Sequence, residues 1–367
     1  MSEGLAAALL LLAFVAWMLL PLIPALLELL RPTDATPLAM VGQDAGELTY
    51  FADRFRGYLQ EQLARSADAS TAATGRFADG TSWVRMPLAE HGSAAARVDA
   101  VVLADPDTWL PSDGVYTMEL FARGDLTCGA RTVVRALLAD GACELGDGSD
   151  VLRWVHAEGV LRAGVDATLH GRATSHEAIE LRPGVRFARL RAPRIASEGA
   201  SGLEPLPPLP AEEHTALTPF VPTGATRLGD GYLRVDGSLV VPPCSLVRAN
   251  LIVRGDLRLE AGSRVQGAVK AHGSVTVGRD VVVDGAVVAQ REVHVDAGAR
   301  LLGVVIAEGA VELAARVQVG CPDRPATIAA PRVRLAPGVT VHGAINTADG
   351  AVEAPGTRAA TRRQTAA

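Results

Sequence analysis

The chain has 367 residues, of which 49% are hydrophobic, 4% aromatic and 21% charged, with a formal net charge of −6. That length allows one large or two modest cores, and the shortage of aromatics means that Val, Leu, Ile and Ala must fill them. The acidic balance argues against nucleic acid, which rewards a basic stripe with interleaved aromatics.

Residues 5–27 are apolar and uncharged, interrupted only by Pro21 and Pro24. At about 1.5 Å rise per residue, such a run crosses the roughly 30 Å hydrocarbon layer of a bilayer. Glu3 is the one charged side chain before it, and no small-residue cleavage site follows. The run therefore reads as a retained transmembrane anchor, residues 1–31, and not as a cleaved signal peptide. No Lys or Arg precedes it while Arg31, Arg54 and Arg56 follow, which places the C-terminal part in the cytoplasm.

Residues 32–125 are harder to assign. Leu48, Phe51, Phe55, Tyr58, Leu59 and Leu63 share one face of a helix over residues 45–66. We expect it to pack on its own domain, with a membrane-surface or partner helix as the other reading. The runs TSWVRM, VDAVVLA and VYTMELFA that follow suggest a small α+β region capping the first coil of what comes next.

A six-residue repeat dominates the rest. Every sixth residue from Val235 to Val319 is aliphatic, as in Val253, Leu259, Val265, Ala271, Val277 and Val283. Four places after each comes a second series of small or aliphatic residues, including Leu257, Ser263, Val269, Val275 and Val281. Hexads of this kind predict a mainly β, single-stranded triangular β-solenoid, with both marked side chains turned inward and about 18 residues per coil. Leu259 should then stack on Val277, and Val277 on Val295. The regular stretch covers residues 223–346, with a register slip of four after Gly320. A weaker version occupies 126–195, where Leu145, Val151, Ala157, Ala163, Leu169, Ser175, Leu181 and Phe187 lie six apart. Between the two lies a Pro/Glu-rich linker, 196–222, and a polar tail, 347–367, ends the chain and reads as disordered. We expect one interrupted solenoid.

The hexads GDLRLEAGSRVQGAVKAHGSVTVGRDVVVDGAVVAQ and the closing APRVRLAPGVTVHGAI resemble the bactofilin, or polymer-forming cytoskeletal, family over roughly residues 230–346. The resemblance implies a β-helix of the bacterial cytoplasm that polymerises end to end without nucleotide, held here at the inner membrane by a single pass through residues 5–27. It implies a self-associating scaffold that positions envelope or cytoskeletal proteins, with itself, the membrane and such proteins as partners. The chain departs from the family in carrying an anchor and about 190 further residues before the regular repeats, so its N-terminal end is a candidate cap.

The hexads are also similar to those of left-handed β-helix acyltransferases, so a membrane-tethered acyltransferase is the alternative, and a solenoid adaptor that never polymerises is a third reading. An acyltransferase needs a basic histidine at a cleft. His91, His156, His170, His176, His214, His272, His294 and His342 read as surface residues, with none beside a carboxylate partner in a projecting loop. Glu260, Asp284, Asp296 and Glu308 spread over different faces, unlike the clustered acids of a glycoside hydrolase. The cysteines Cys128, Cys143, Cys244 and Cys321 lack metal-ligand spacing and read as reduced thiols, although a bridge between Cys128 and Cys143 on adjacent coils stays open. We therefore expect no enzyme, and no catalytic, cofactor or metal residue. Ala286, Val288, Val304 and Ile306, with Leu302 nearby, form an apolar stripe facing outward, which calls for a covering partner: the helix, the linker or another solenoid.

Overall fold

A computed structural model describes residues 49–65, 72–86, 97–200, 217–229 and 231–354, together with Gly4, Leu5, Leu10, Phe14, Trp17 and Met18. The chain divides into two compact units, Met1–Glu47 and Leu48–Ala367, and the solenoid belongs to the second. The apolar run 5–27 falls almost wholly outside the described residues. Among those described, no helix is long and apolar enough to cross a membrane.

The hexads form the solenoid that their spacing predicts. Leu259 pairs with Val277 and Val277 with Val295 in parallel ladders, so each coil adds about 18 residues and stacks like on like. Both inward series are buried apart from the half-buried Val235 that begins the first, with Val265, Val277, Val283, Val293 and Val305 fully so. At roughly 1.5–3 kcal/mol per buried Val or Leu, every coil repeats a similar stabilising increment. Ser263, the polar member of its series, is also fully buried, and its hydroxyl donates to the Glu260 carbonyl at 2.7 Å. After Gly320 the stacking interval lengthens to 22 residues, Leu313 on Leu335 and Val319 on Val341, because the segment 321–325 forms a loop.

One corner imposes a condition that the hexads do not reveal. Cys244, Gly262, Asp280, Gly298 and Arg316 follow one another at 18-residue intervals, and all have φ between 52° and 77°. In the weaker repeat Asp113, Arg131, Gly148, Asp166 and Gly184 repeat the same turn. Gly and Asp tolerate this left-handed backbone, whereas Arg131 and Arg316 adopt it between coils that make the same turn, and Cys244 adopts it where the column begins.

The weaker repeat begins earlier than expected. Val98, Ala104, Leu110, Tyr116, Ala122, Cys128 and Val134 lie six apart and point inward, and all but Val98 are buried. They join the series Ala139, Leu145 and Val151 after a step of five, because the coil from Val133 to Asp150 has 17 residues. Residues 97–125, expected as part of an α+β cap, are therefore coils of the solenoid. The pair Thr74–Arg76 and Ser82–Met86 is antiparallel and caps one wall of the first coil.

The solenoid is not one interrupted stack. It consists of two blocks, an N-block ending at the strand Arg186–Ser197 and a C-block ending at Thr340–Val352. These two last strands pair antiparallel, Leu190 with Ile345 and Ile195 with Val341, so the blocks meet by their C-terminal coils. Gly184 N–H donates to the Val352 carbonyl at 3.0 Å and Val352 N–H to the Val185 carbonyl at 2.9 Å. Ser197 adds its hydroxyl to the Ala336 carbonyl and accepts from Val339 N–H. Both terminal edges, which alone would present unpaired backbone groups, thereby satisfy each other. Residues 347–352, placed by sequence in the tail, complete this strand. The linker segment 201–216 and the tail 355–367 lie outside the described residues.

Candidate functional site

The antiparallel seam aligns one wall of each block. Arg189–Arg191 lie beside Ala344–Asn346, which pair in turn with Thr327–Ala329, and Ile328 sits on Val305. One long wall thus runs from the N-block strands Val101–Ala104 and Asp150–Ala157 to the C-block strands Val287–Ala289 and Val305–Ala307.

The N-block half is covered. The helix Tyr50–Arg65 turns Ala52, Phe55 and Leu59 onto outward side chains that a bare solenoid would leave wet: Val101, Leu103, Phe121, Ala136, Leu138 and Trp154. Phe55 meets Trp154 edge-on with ring centroids 5.8 Å apart. Of the two sequence readings of this helix, packing on its own domain is the one that the structure has. Among the described residues, nothing covers the C-block half. Val304 and Ile306 are exposed and Ala286, Val288 and Leu302 half-buried, and the helix does not reach them. Between the halves opens a cleft of about 520 Å³ lined by Phe51, Trp154, Arg153, Arg172, Arg189 and Thr347. The Arg172 guanidinium stands 4.9 Å over the Phe51 ring.

Beside the helix, the stacking of coils assembles a polar cluster. Ala157 pairs with Ala139 below it and with Ser175 above it, so the next residues, Asp140, Glu158 and His176, form a ladder at one corner. His156 is stacked on Thr174 in the same way. His176 Nδ1 lies 2.5 Å from Glu158 Oε2. Arg56, reaching down from the helix, donates to Asp140 at 3.0 Å and to Glu158 Oε1. The His156 ring is only 1% exposed, packs edge-on against His176 at 4.9 Å, and shares a 2.7 Å hydrogen bond between Nδ1 and Thr174 Oγ1.

The charges in this cluster interlock. Burial alone would raise the Glu158 carboxyl, but the Arg56 hydrogen bond and charge, aided by both histidines, outweigh it and hold the group below the usual carboxylate range. Burial lowers the His156 imidazole below the ordinary histidine value against the opposing pull of Glu158, with His176 and Arg56 adding to the depression. Arg56 is held above its usual value by Asp140 and Glu158 although burial works against it. His156 Nε2, Glu158 and His176 offer donor atoms that all lie within 4.8 Å of one another.

His156 is therefore not the simple surface histidine that the repeat suggests, since outward position in a hexad does not mean exposure where a helix lies on the wall, whereas His176 is exposed but paired with Glu158. The stacking interval was the available signal: positions 18 apart, such as Glu158 and His176, meet in space. Of the other histidines, His342 crosses the seam to the Pro193 carbonyl at 3.0 Å, and His294 lies between Glu292 and Glu312. His91 and His214 lie outside the described residues. All four cysteines are free thiols, with Cys128 and Cys143 buried on adjacent coils.

No family model, no curated protein and no solved structure matches this chain.

Proposed function

We propose that the chain is a membrane-anchored, bactofilin-like scaffold that self-associates through its solenoid and positions envelope or cytoskeletal partners along its long wall. The seam is the observation that supports this reading. Within the chain, the terminal coil of one block already takes the terminal coil of the other as its partner, through the antiparallel pairing of Leu190 with Ile345. Because the seam occupies both C-terminal edges, association between copies falls to the faces left open. These are the strand Leu239–Val241, paired on one side only among the described strands, and the apolar stripe at Val304 and Ile306. The anchor at residues 5–27 holds the assembly at the cytoplasmic side of a bacterial inner membrane.

The test is sedimentation and electron microscopy of the full-length chain in detergent, over a range of concentrations, beside its Val304→Asp variant. Oligomers or filaments that shrink in the variant support the scaffold. A wild-type chain that stays monomeric throughout removes self-assembly and leaves the adaptor.

A further inference from the structure

We infer that His156, Glu158 and His176 form a binding site for a divalent transition metal of the zinc class, with two imidazoles and one carboxylate as ligands. The inference is independent of the scaffold reading and begins with a proton. Thr174 Oγ1 lies 3.4 Å from the Val155 carbonyl, and a hydroxyl turned to that carbonyl offers His156 only lone pairs. With the hydroxyl so turned, His156 Nδ1 carries the hydrogen in their 2.7 Å contact. That assignment leaves Nε2 as a bare lone pair.

This lone pair is buried and has no hydrogen-bond partner. It stands 3.5 Å from Glu158 Oε1. A buried acceptor facing a second acceptor is costly unless a proton or a metal ion lies between them. Arg56 does not fill that role, because its guanidinium is engaged by the Glu158 and Asp140 carboxylates. It serves instead as the outer partner that orients a ligating carboxylate, as Thr174 orients the histidine.

The third donor is close at hand. His176 Nδ1 already touches the other Glu158 oxygen, and all three donors lie within 4.8 Å of one another. An ion about 2.0–2.2 Å from each requires only a modest contraction. The contraction falls on His176, whose side chain is 59% exposed, while His156 stays fixed under the helix. Two imidazole ligands favour zinc, cobalt or nickel over calcium or magnesium, which prefer all-oxygen shells. The exposed side of His176 leaves a coordination position for water.

The decisive experiment titrates full-length, chelator-stripped protein in detergent with Co2+ and then displaces the cobalt with Zn2+. One equivalent should bind, with ligand-field absorption and no thiolate charge-transfer band, which separates this site from Cys244 and Cys321. His176→Gln, at an exposed position that leaves the fold intact, and His156→Gln should each weaken binding at least about tenfold, as should Thr174→Val through the lost orientation of His156. Failure to bind one equivalent, a thiolate band, or affinity unchanged in His176→Gln would overturn the site.

Discussion

The ring of Phe187 lies directly opposite Gly350 across the seam and occupies the volume that a Cβ at residue 350 would need. Phe187 is nearly fully buried there, so the ring has no room to retreat. Gly350→Val should therefore pry the two last coils apart, at a cost of about 1–3 kcal/mol for overpacking. Hydrogen exchange will read the effect locally: the amides of Val352 and Ser197, which donate across or beside the seam, should lose protection while those in the coil around Val277 keep theirs. Uniform loss of protection through both blocks would show that the seam is not a separable joint.

Leu59 is the most deeply buried large side chain of the helix. Leu59→Ala should cost about 2–5 kcal/mol and uncover Val101, Leu103 and Leu138. A rise in binding of an apolar fluorophore alongside the lower melting temperature would locate the damage on the wall. If melting falls by less than a degree or two, the helix is only resting on the solenoid.

Acid should destabilise the metal-free protein in two stages. His156 and His342 are both held below the ordinary histidine value, in each case chiefly by burial. The unfolded chain then takes up protons more readily than the folded one, so stability falls as pH drops below about 6.5 toward the depressed folded values. Glu158 acts in the same direction at lower pH. Its contribution is complete above the normal carboxylate value of about 4.3 and is lost as pH falls through its lowered one. His156→Gln should flatten the first stage in thermal melts taken from about pH 7.5 to about pH 5. A melting temperature that rises on acidification would contradict the whole account.

The cysteines should sort by burial. The Cys128 thiol is pushed up to about 12 by desolvation, and Cys143 is also raised well above its usual value by the same cause. Cys244 is exposed and Cys321 half-exposed. Since the thiolate is the reactive form, iodoacetamide at about pH 8 should modify Cys244 and Cys321 in the native protein and reach Cys128 and Cys143 only after denaturation. Mass spectrometry of the alkylated peptides reads the order directly.

The solenoid itself was legible because its rule is strictly local. An inward aliphatic every six residues suffices to identify Leu259, Val277 and Val295 as a column. The first coils escaped because one 17-residue turn between Val133 and Asp150 moves the series out of step, so Val134 and Leu145 no longer share a phase. The seam escaped for a different reason: nothing in the periodicity of Leu190 or Ile345 distinguishes a strand that ends a stack from one inside it. The His156 cluster required two facts at once, the 18-residue stacking that brings Glu158 to His176 and the helix that buries the wall. The first follows from the repeat, the second only from where Phe55 and Leu59 dock.

The seam also sets a schedule. Nearly every contact in the solenoid joins residues about 18 apart, whereas Pro193 and His342 are separated by 149 positions. The N-block can wind itself up as it leaves the ribosome, but its last strand then waits for the C-block to be made. At about 5–20 residues per second, that delay is on the order of 10–30 s. During it, the edge from Arg186 to Ser197 is free to capture the finished C-block of a neighbouring chain. Two molecules translated side by side could thus emerge as an exchanged pair, joined by the same strands that close each one alone.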